Sequence, residues 1–388
     1  MEIITWSISI KSIFGSNRIS FQKQNKGSIR PNTIKNVEKV LDCWTGLKWF
    51  ASYKCDWCNE VKHINFTCKS RFCNSCSQPQ SDIWMKNLVS RRPDNLLYNH
   101  IVFTIPAELR RFFKDNRRAL KIVPYTASKA IMFFLKKQKL TPWILAVIHS
   151  FWAQLNRNPH THLIVTNWAV HDNWTFKNNI FLPYTAIKRS RTKFLVKNLK
   201  ERTYDNLTWE KCKSEIRFLN EFYDYHSKIS WEKTDRHVYF PDKPCSFSQV
   251  IGYVWRYVKR PVIAQSRILS YDGKEVTFNY VDKRDQQTKT ITCPVFEFMG
   301  LLLQHIPNKH FRMIYYYWAF ANRSKKKVLE IIYSFFKQNP KRPFIPKSFA
   351  QRLFFFTGKN PLHCACWGCF HKFKIYIPWY PDILFDTS

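Results

Sequence analysis

Two histidines separated by one residue, His160 and His162, stand in the run NPHTHLIV, which is apolar after its first residues and reads as a β-strand. Side chains two apart on a strand share a face, so these imidazoles can converge on one metal ion or one phosphate. The plain alternative is a pair of hydrogen-bonded surface histidines. A second pair lies further on, in YVWRYVKRP, where Tyr253 and Tyr257 are four apart and stack on one helical face. Such tyrosines are usually core packing. Here Arg256, Lys259 and Arg260 adjoin them, so a phosphate brought to the hydroxyls would meet cations. The third feature is a set of thiols. Cys55-Asp-Trp-Cys58 and Cys73-Asn-Ser-Cys76 are CxxC knuckles with 14 residues between them, a spacing that fits one tetrahedral Zn²⁺ closed by a hairpin. Cys68 makes a fifth thiol for four places, and His63 and Cys43 are weaker candidates. Lys69 and Arg71, in CKSRFC, could contact phosphate or belong to a solvated loop.

The elements that must position these groups follow from pattern and punctuation. Residues 1–34 read as a loose basic arm, followed by a helical pattern over Thr33 to Cys43. Asn99 to Pro106 (NHIVFTIP) reads as a strand, and Ala107 to Leu140 as basic helices. The stretch Ala146 to Val165 reads as two strands broken at Asn158-Pro159. Ala186 to Arg202 and Trp209 to Phe222 have helical spacing, and Arg236 to Phe240 looks extended. Ser246 with Gln249 is a capping-box signature that starts the tyrosine helix, and Pro261 stops it. Arg267 to Val281 is a hairpin turning at Asp272-Gly273. A helix around Val295 to His305 and a strand around Phe311 to Trp318 come next. From Asn322 the chain is a basic tail with a second thiol cluster, Cys364, Cys366 and Cys369, near His363 and His371; its spacing is irregular.

Composition selects the partner. With 63 Lys and Arg against 27 Asp and Glu, the formal charge is +36, interleaved with 33 Phe, 18 Tyr and 15 Trp. Excess positive charge attracts a polyanion, and aromatic faces stack unpaired bases, so nucleic acid is the expected partner. An anionic membrane surface would call for a sustained basic amphipathic helix, which is not seen. No run reaches the roughly 18 apolar residues that span a bilayer, and the N-terminus lacks a signal-peptide pattern. A cytoplasmic protein is expected, in which the 12 cysteines serve metal rather than disulfides.

Taken in order, these features resemble the rolling-circle insertion-sequence transposases of the IS91 type, two-tyrosine members of the HUH (His-hydrophobe-His) endonucleases. VEKVLDC with CKSRFCNSCS is similar to that family's N-terminal zinc-binding domain. HIVFTIPAELR, then His149 and Gln154 leading into NPHTHLIVT, are similar to its nuclease core. YVWRYVKRPVI with ILSYDGKEVTFNY is similar to its tyrosine helix and following hairpin. The resemblance implies an α+β fold, a zinc-binding module followed by a nuclease core with an antiparallel sheet flanked by helices. It implies four segments: an arm at 1–34, a zinc-binding domain at 35–92, a catalytic domain at 93–322 and a tail at 323–388. It implies that His160 and His162 hold Mg²⁺ or Mn²⁺ with His149 or Gln154 as third ligand. Tyr253 or Tyr257 would then attack the phosphate of single-stranded DNA at insertion-sequence ends, leaving a 5′-phosphotyrosine and a free 3′-OH. One phosphoester replaces another, so no ATP is needed, in keeping with the lack of a Walker-type loop.

One departure recurs. Where the family carries glycine this chain has Trp44, Trp49, Trp152, Trp168, Trp255 and Trp318, and only 8 glycines remain. A side chain is costly wherever such a glycine served positive φ or close approach, and the repeated change suggests a degenerate copy. The rival reading from another class is a non-enzymatic zinc protein that binds nucleic acid. A relaxase or replication initiator would share the His pair but not the five-cysteine module.

Overall fold

A computed structural model describes residues 8–45, 50–90, 92–93, 96–113, 117–202, 209–228, 238–241, 243–255, 261–282, 285–318, 322–339, 346, 348–358, 360–377 and 383–384. Its centre is an antiparallel sheet. Strands β3 (Leu97–Thr104), β4 (Leu140–Phe151), β5 (Arg157–His171), β7 (Val238–Tyr239) and β12 (Ile314–Trp318) run in the order β12-β4-β5-β3-β7. Two short strands, β6 (Phe176–Asn178) and β8 (Cys245–Ser246), pair with β5 and β3. The long central strands β4 and β5 are buried on both faces, which explains their near-continuous apolar sequences.

Each face has its own cover. Ile144, Ala146, Leu163 and Val165 pack under α4 (Ile122–Lys137) and α5 (Tyr184–Arg202). On the other face Leu145, Val147, Ile164 and Trp168 meet α3 (Asn74–Ser90), α7 (Phe247–Trp255) and α9 (Asn322–Phe335). Helix α6 (Trp209–Lys228) adds Leu219 and Phe222 to a further cluster beside α5. The mixed helix-and-sheet architecture, with an antiparallel core flanked by helices behind a Cys-rich N-terminal region, is the fold class expected from the sequence.

The N-terminal stretch departs from expectation. Instead of a loose arm, residues Ile10–Gln24 form α1, opened by a Ser9/Ser12 capping box. Ile10, Ile13, Phe14 and Phe21 make an apolar stripe inside a mostly polar sequence, and that stripe is buried while Ile19 is exposed. Helix α1 and α2 (Pro31–Leu41) share one core with the hairpin module formed by β9 (Ile268–Tyr271), β10 (Glu275–Val281), β11 (Thr288–Pro294) and α8 (Val295–Leu303). Phe14 meets Phe72 edge to face at 5.7 Å and Phe21 meets Phe296 at 5.6 Å. Gly273 has φ 97°, as the two-residue turn expected between β9 and β10 requires.

The tail also departs. Its strand β13 (Phe370–Tyr376) pairs with β1 (Phe50–Cys55), which pairs with β2 (Val61–Asn65); with β14 (Ile383–Leu384) they form a four-stranded sheet in the order β14-β13-β1-β2. Residues more than three hundred positions apart thus build one ribbon, a pairing that no local pattern announces. Among the described residues no helix is long and apolar enough to cross a membrane.

The tryptophans divide into two groups. Trp168 is fully buried in a T-shaped pair with Trp143 at 5.1 Å, so the ring is accommodated there despite the expected crowding. Trp49 lies outside the described residues. Trp44, Trp174 and Trp367 have φ of 66°, 66° and 71°, the region that costs a residue with a Cβ roughly 1–2 kcal/mol. Trp367 is 89% exposed and has little packing to lose. Trp367→Gly is therefore expected to raise stability by up to about 1 kcal/mol, after allowing for glycine's larger unfolded-state entropy. Urea midpoints would show it, and Trp367→Ala, which removes the ring without relieving the backbone, should give no such gain.

Candidate active site

The histidines come together because of strand parity and register. Even-numbered positions of β5 face α7, which sets His160 and His162 on that face and Thr161, also buried, on the opposite one. Antiparallel pairing places His149 of β4 opposite His160 and Val147 opposite His162. His149 Nδ1 then lies 3.0 Å from His160 Nε2. The ligand nitrogens of His149, His160 and His162 all fall within 4.8 Å of one another, and all three residues are buried. His160 Nδ1 is 2.7 Å from the Asn158 carbonyl, which orients its ring.

Burial, then the nearby His160, His162 and Arg71 charges, hold His149 well below the usual histidine pKa. A neutral imidazole keeps a lone pair for a metal. Three imidazoles are a softer donor set than the oxygen ligands Mg²⁺ prefers, and they suit a first-row transition-metal ion better. The two candidates for third ligand separate here. His149 belongs to the group; Gln154 sits in the turn between β4 and β5, with its side-chain oxygen accepting from Asn156 Nδ2 at 3.4 Å.

Tyr253 reaches the same place from α7. Ser246 and Gln249 make the expected capping box, with Gln249 N–H donating to Ser246 Oγ and Ser246 N–H to Gln249 Oε1. Phe247, Val250, Ile251 and Val254 anchor the helix on the sheet. The Tyr253 ring centroid is 6.0 Å from that of His162 and 5.0 Å from that of His100. Tyr257, Arg256, Lys259 and Arg260 lie outside the described residues.

His100 was not legible as a site residue. It lies on β3, its Nε2 is 2.9 Å from His162 Nδ1, and the two rings stack at 5.2 Å. Its even position in a strand whose odd residues Ile101 and Phe103 face the other way was the available signal. A histidine that fixes the ring of a ligand shifts metal affinity or activity by about 10–100-fold. His100→Ala is expected to weaken Mn²⁺ binding in that range, measured by metal titration. Unchanged affinity would make His100 a packing residue only.

A separate cavity of about 290 Å³, which none of these four histidines lines, opens between α2 and residues 305–309. Lys39, Lys69, Arg71 and Lys309 line it together with Asn36, Phe151 and His305. Burial lowers the Arg71 pKa to about 10, which leaves it charged at neutral pH.

The thiols require a correction. The two CxxC knuckles do not share one ion. Cys73 and Cys76, at the start of α3, join Cys68 and Cys43 in one tetrad. Cys43 Sγ is 3.4 Å from Cys76 Sγ, Cys68 Sγ 3.6 Å from Cys76 Sγ and Cys73 Sγ 3.8 Å from Cys43 Sγ. Cys55 and Cys58 group instead with Cys364 and Cys366. The reason is the hairpin: Cys55 and Cys58 lie at its tip and Cys68 beyond its base, and strands of this kind rise about 3.3 Å per residue. The hairpin therefore separates the knuckles, and Cys43, judged a weak candidate, completes the inner set.

Two family models match the chain, one described as a putative transposase over residues 144–327 and one as a transposase zinc-binding domain over residues 13–105. A Cys-rich module joined to this core is thus a zinc-binding transposase. The chain is 28% identical over 369 residues to the transposase for insertion sequence element IS801 of Pseudomonas savastanoi pv. phaseolicola, covering 92% of this chain and 87% of that one. It is 25% identical over 329 residues to the putative transposase y4qJ of Sinorhizobium fredii (strain NBRC 101917 / NGR234), covering 80% and 81%. The chain belongs to the IS91-type transposase family. No solved structure matches it.

Proposed function

We propose that this transposase cleaves and rejoins single-stranded DNA at insertion-sequence ends through a tyrosine–DNA ester. The observation that carries the reading is the approach of Tyr253, on its own helix, to a buried three-histidine group on the sheet. His149, His160 and His162 would hold Mn²⁺ or Mg²⁺, which when bound supplies Lewis-acid neutralisation of charge on the phosphoryl oxygens. Tyr253 Oη gives up its proton and attacks phosphorus in line. The new Tyr–O–P bond forms as the bond to the 3′ oxygen breaks, and that oxygen leaves as a 3′-OH. Return attack by a 3′-OH restores the diester and frees the tyrosine. Tyr257, one helical turn further in sequence, would provide the second nucleophile that release and rejoining of a strand requires.

The cavity supports the DNA-contact roles of Lys69 and Arg71, since a phosphate entering it would meet their cations. Arg256, Lys259 and Arg260 would add charge where the strand passes the tyrosines. The substrate places this work in the cytoplasm, and Zn²⁺ at the inner tetrad is structural.

The test is incubation of the full chain with end-labelled single-stranded DNA carrying an insertion-sequence end, with and without Mn²⁺. A detergent-stable protein–DNA adduct that needs the metal and vanishes in Tyr253→Phe/Tyr257→Phe is the expected result. Metal-loaded, folded protein that binds DNA in a salt-sensitive way yet never forms the adduct would leave a non-enzymatic zinc protein, or a degenerate copy, in its place.

A further inference from the structure

We infer that the chain carries a second zinc site divided between its two ends, with Cys55 and Cys58 at the tip of the β1–β2 hairpin and Cys364 and Cys366 before β13. Cys55 Sγ lies 3.5 Å from Cys366 Sγ and Cys58 Sγ 3.6 Å from Cys364 Sγ. All four sulfurs fall within 4.8 Å of one another. Zinc–sulfur bonds of about 2.3 Å in a tetrahedron set sulfur–sulfur edges of about 3.8 Å, so these thiols already stand at zinc-tetrad spacing. The site is not contained in either family match, because Cys364 and Cys366 lie beyond residues 13–105 and 144–327.

The backbone around it is built for the approach. Asp56 N–H donates to the Cys369 carbonyl at 3.1 Å, and Cys369 N–H donates to Asp56 Oδ1 at 2.8 Å. Cys55 sits opposite Phe370 in the β1–β13 register. Gly368 comes so close to the knuckle that a Cβ there would lie 2.6 Å from Asp56 Oδ1 and 2.7 Å from Cys55 Sγ. Four soft thiolate donors select Zn²⁺ over hard cations. The ion bridges positions 306 residues apart and fastens the tail strand to the ribbon, so the C-terminal segment becomes part of the N-terminal metal module.

Metal analysis of the purified full chain should find two zinc ions per molecule. Cys364→Ser/Cys366→Ser should retain one, as should Cys55→Ser/Cys58→Ser, and Gly368→Ala should lose the same ion with every cysteine in place. One zinc in the unaltered chain, or two in either double-serine variant, overturns the inference. Cobalt substitution gives a readout at the sites themselves: the thiolate-to-cobalt band should fall by half in the double variants, and full intensity there would also overturn it.

A separate observation carries a second inference. Trp44, Trp174 and Trp367 occupy left-handed backbone positions that favour glycine, and all three are exposed. The chain has 15 Trp against 8 Gly, whereas glycine ordinarily makes up about 7% of residues. We infer that one codon written as tryptophan in this sequence is read as glycine in the cell of origin, so that the working protein has glycine at positions 44, 174 and 367. Peptide mass spectrometry of the protein isolated from its own cells should find glycine at these three positions; tryptophan there overturns the inference.

Discussion

Alanine at both His160 and His162 is expected to slow strand cleavage about a thousandfold or more, since loss of one group that stabilises transition-state charge costs about 10²–10³ in rate. The two imidazoles point into the group that also contains His149, and Tyr253 stands above them. On the proposed mechanism, removing them would take away the metal and leave Tyr253 in position. DNA affinity should change little, because on this proposal it comes from the basic surface, Lys69 and Arg71 included, rather than from the histidines. Rates of adduct formation and salt-dependent binding curves, measured on the same preparation, separate the two effects. A parallel collapse of both would mean that the histidines hold the sheet together instead.

The second large effect is expected from the inner thiol tetrad. Structural zinc supplies roughly 10–16 kcal/mol in small modules, comparable to the whole stability of a typical domain at about 5–15 kcal/mol. Cys43, Cys73 and Cys76 belong to the same core cluster as Phe14, Phe72 and Val37. Chelation, or Cys73→Ser, should therefore release α1 and α2 along with the ligands. Hydrogen exchange followed by mass spectrometry should show Ile10–Gln24 and Pro31–Leu41 losing protection while β4 and β5 keep theirs, because those strands are buried between other layers. Retained protection in α1 and α2 after zinc removal would show that apolar packing alone holds the module.

The sheet was legible where sequence carries its own period. NPHTHLIV announced a strand with two histidines on one face, Ser246 and Gln249 announced the helix that brings Tyr253, and Asp272-Gly273 announced a hairpin turn. What could not be read was pairing between distant segments. His100 became visible only when β3 lay beside β5, and the partners of Cys55 and Cys58 only when β13 folded back onto β1. The two CxxC knuckles misled for a physical reason: regular spacing along the chain says nothing about which end of a hairpin each knuckle occupies. Helix α1 was missed because its four core-facing apolar residues are interleaved with polar ones. That His149, and not Gln154, stands with the histidine pair needed the β4–β5 register, which sets His149 opposite His160 and leaves Gln154 in the turn.

The histidine group and the tyrosine helix make one chemical claim, that a tyrosine of this chain becomes bonded to DNA. Nuclease digestion of the manganese-dependent adduct, followed by peptide mass spectrometry, tests it at the atom concerned. A nucleotide phosphate on Tyr253 or Tyr257 is the expected result. Cleaved DNA with no nucleotide on either tyrosine, or with the nucleotide on another residue, would contradict it.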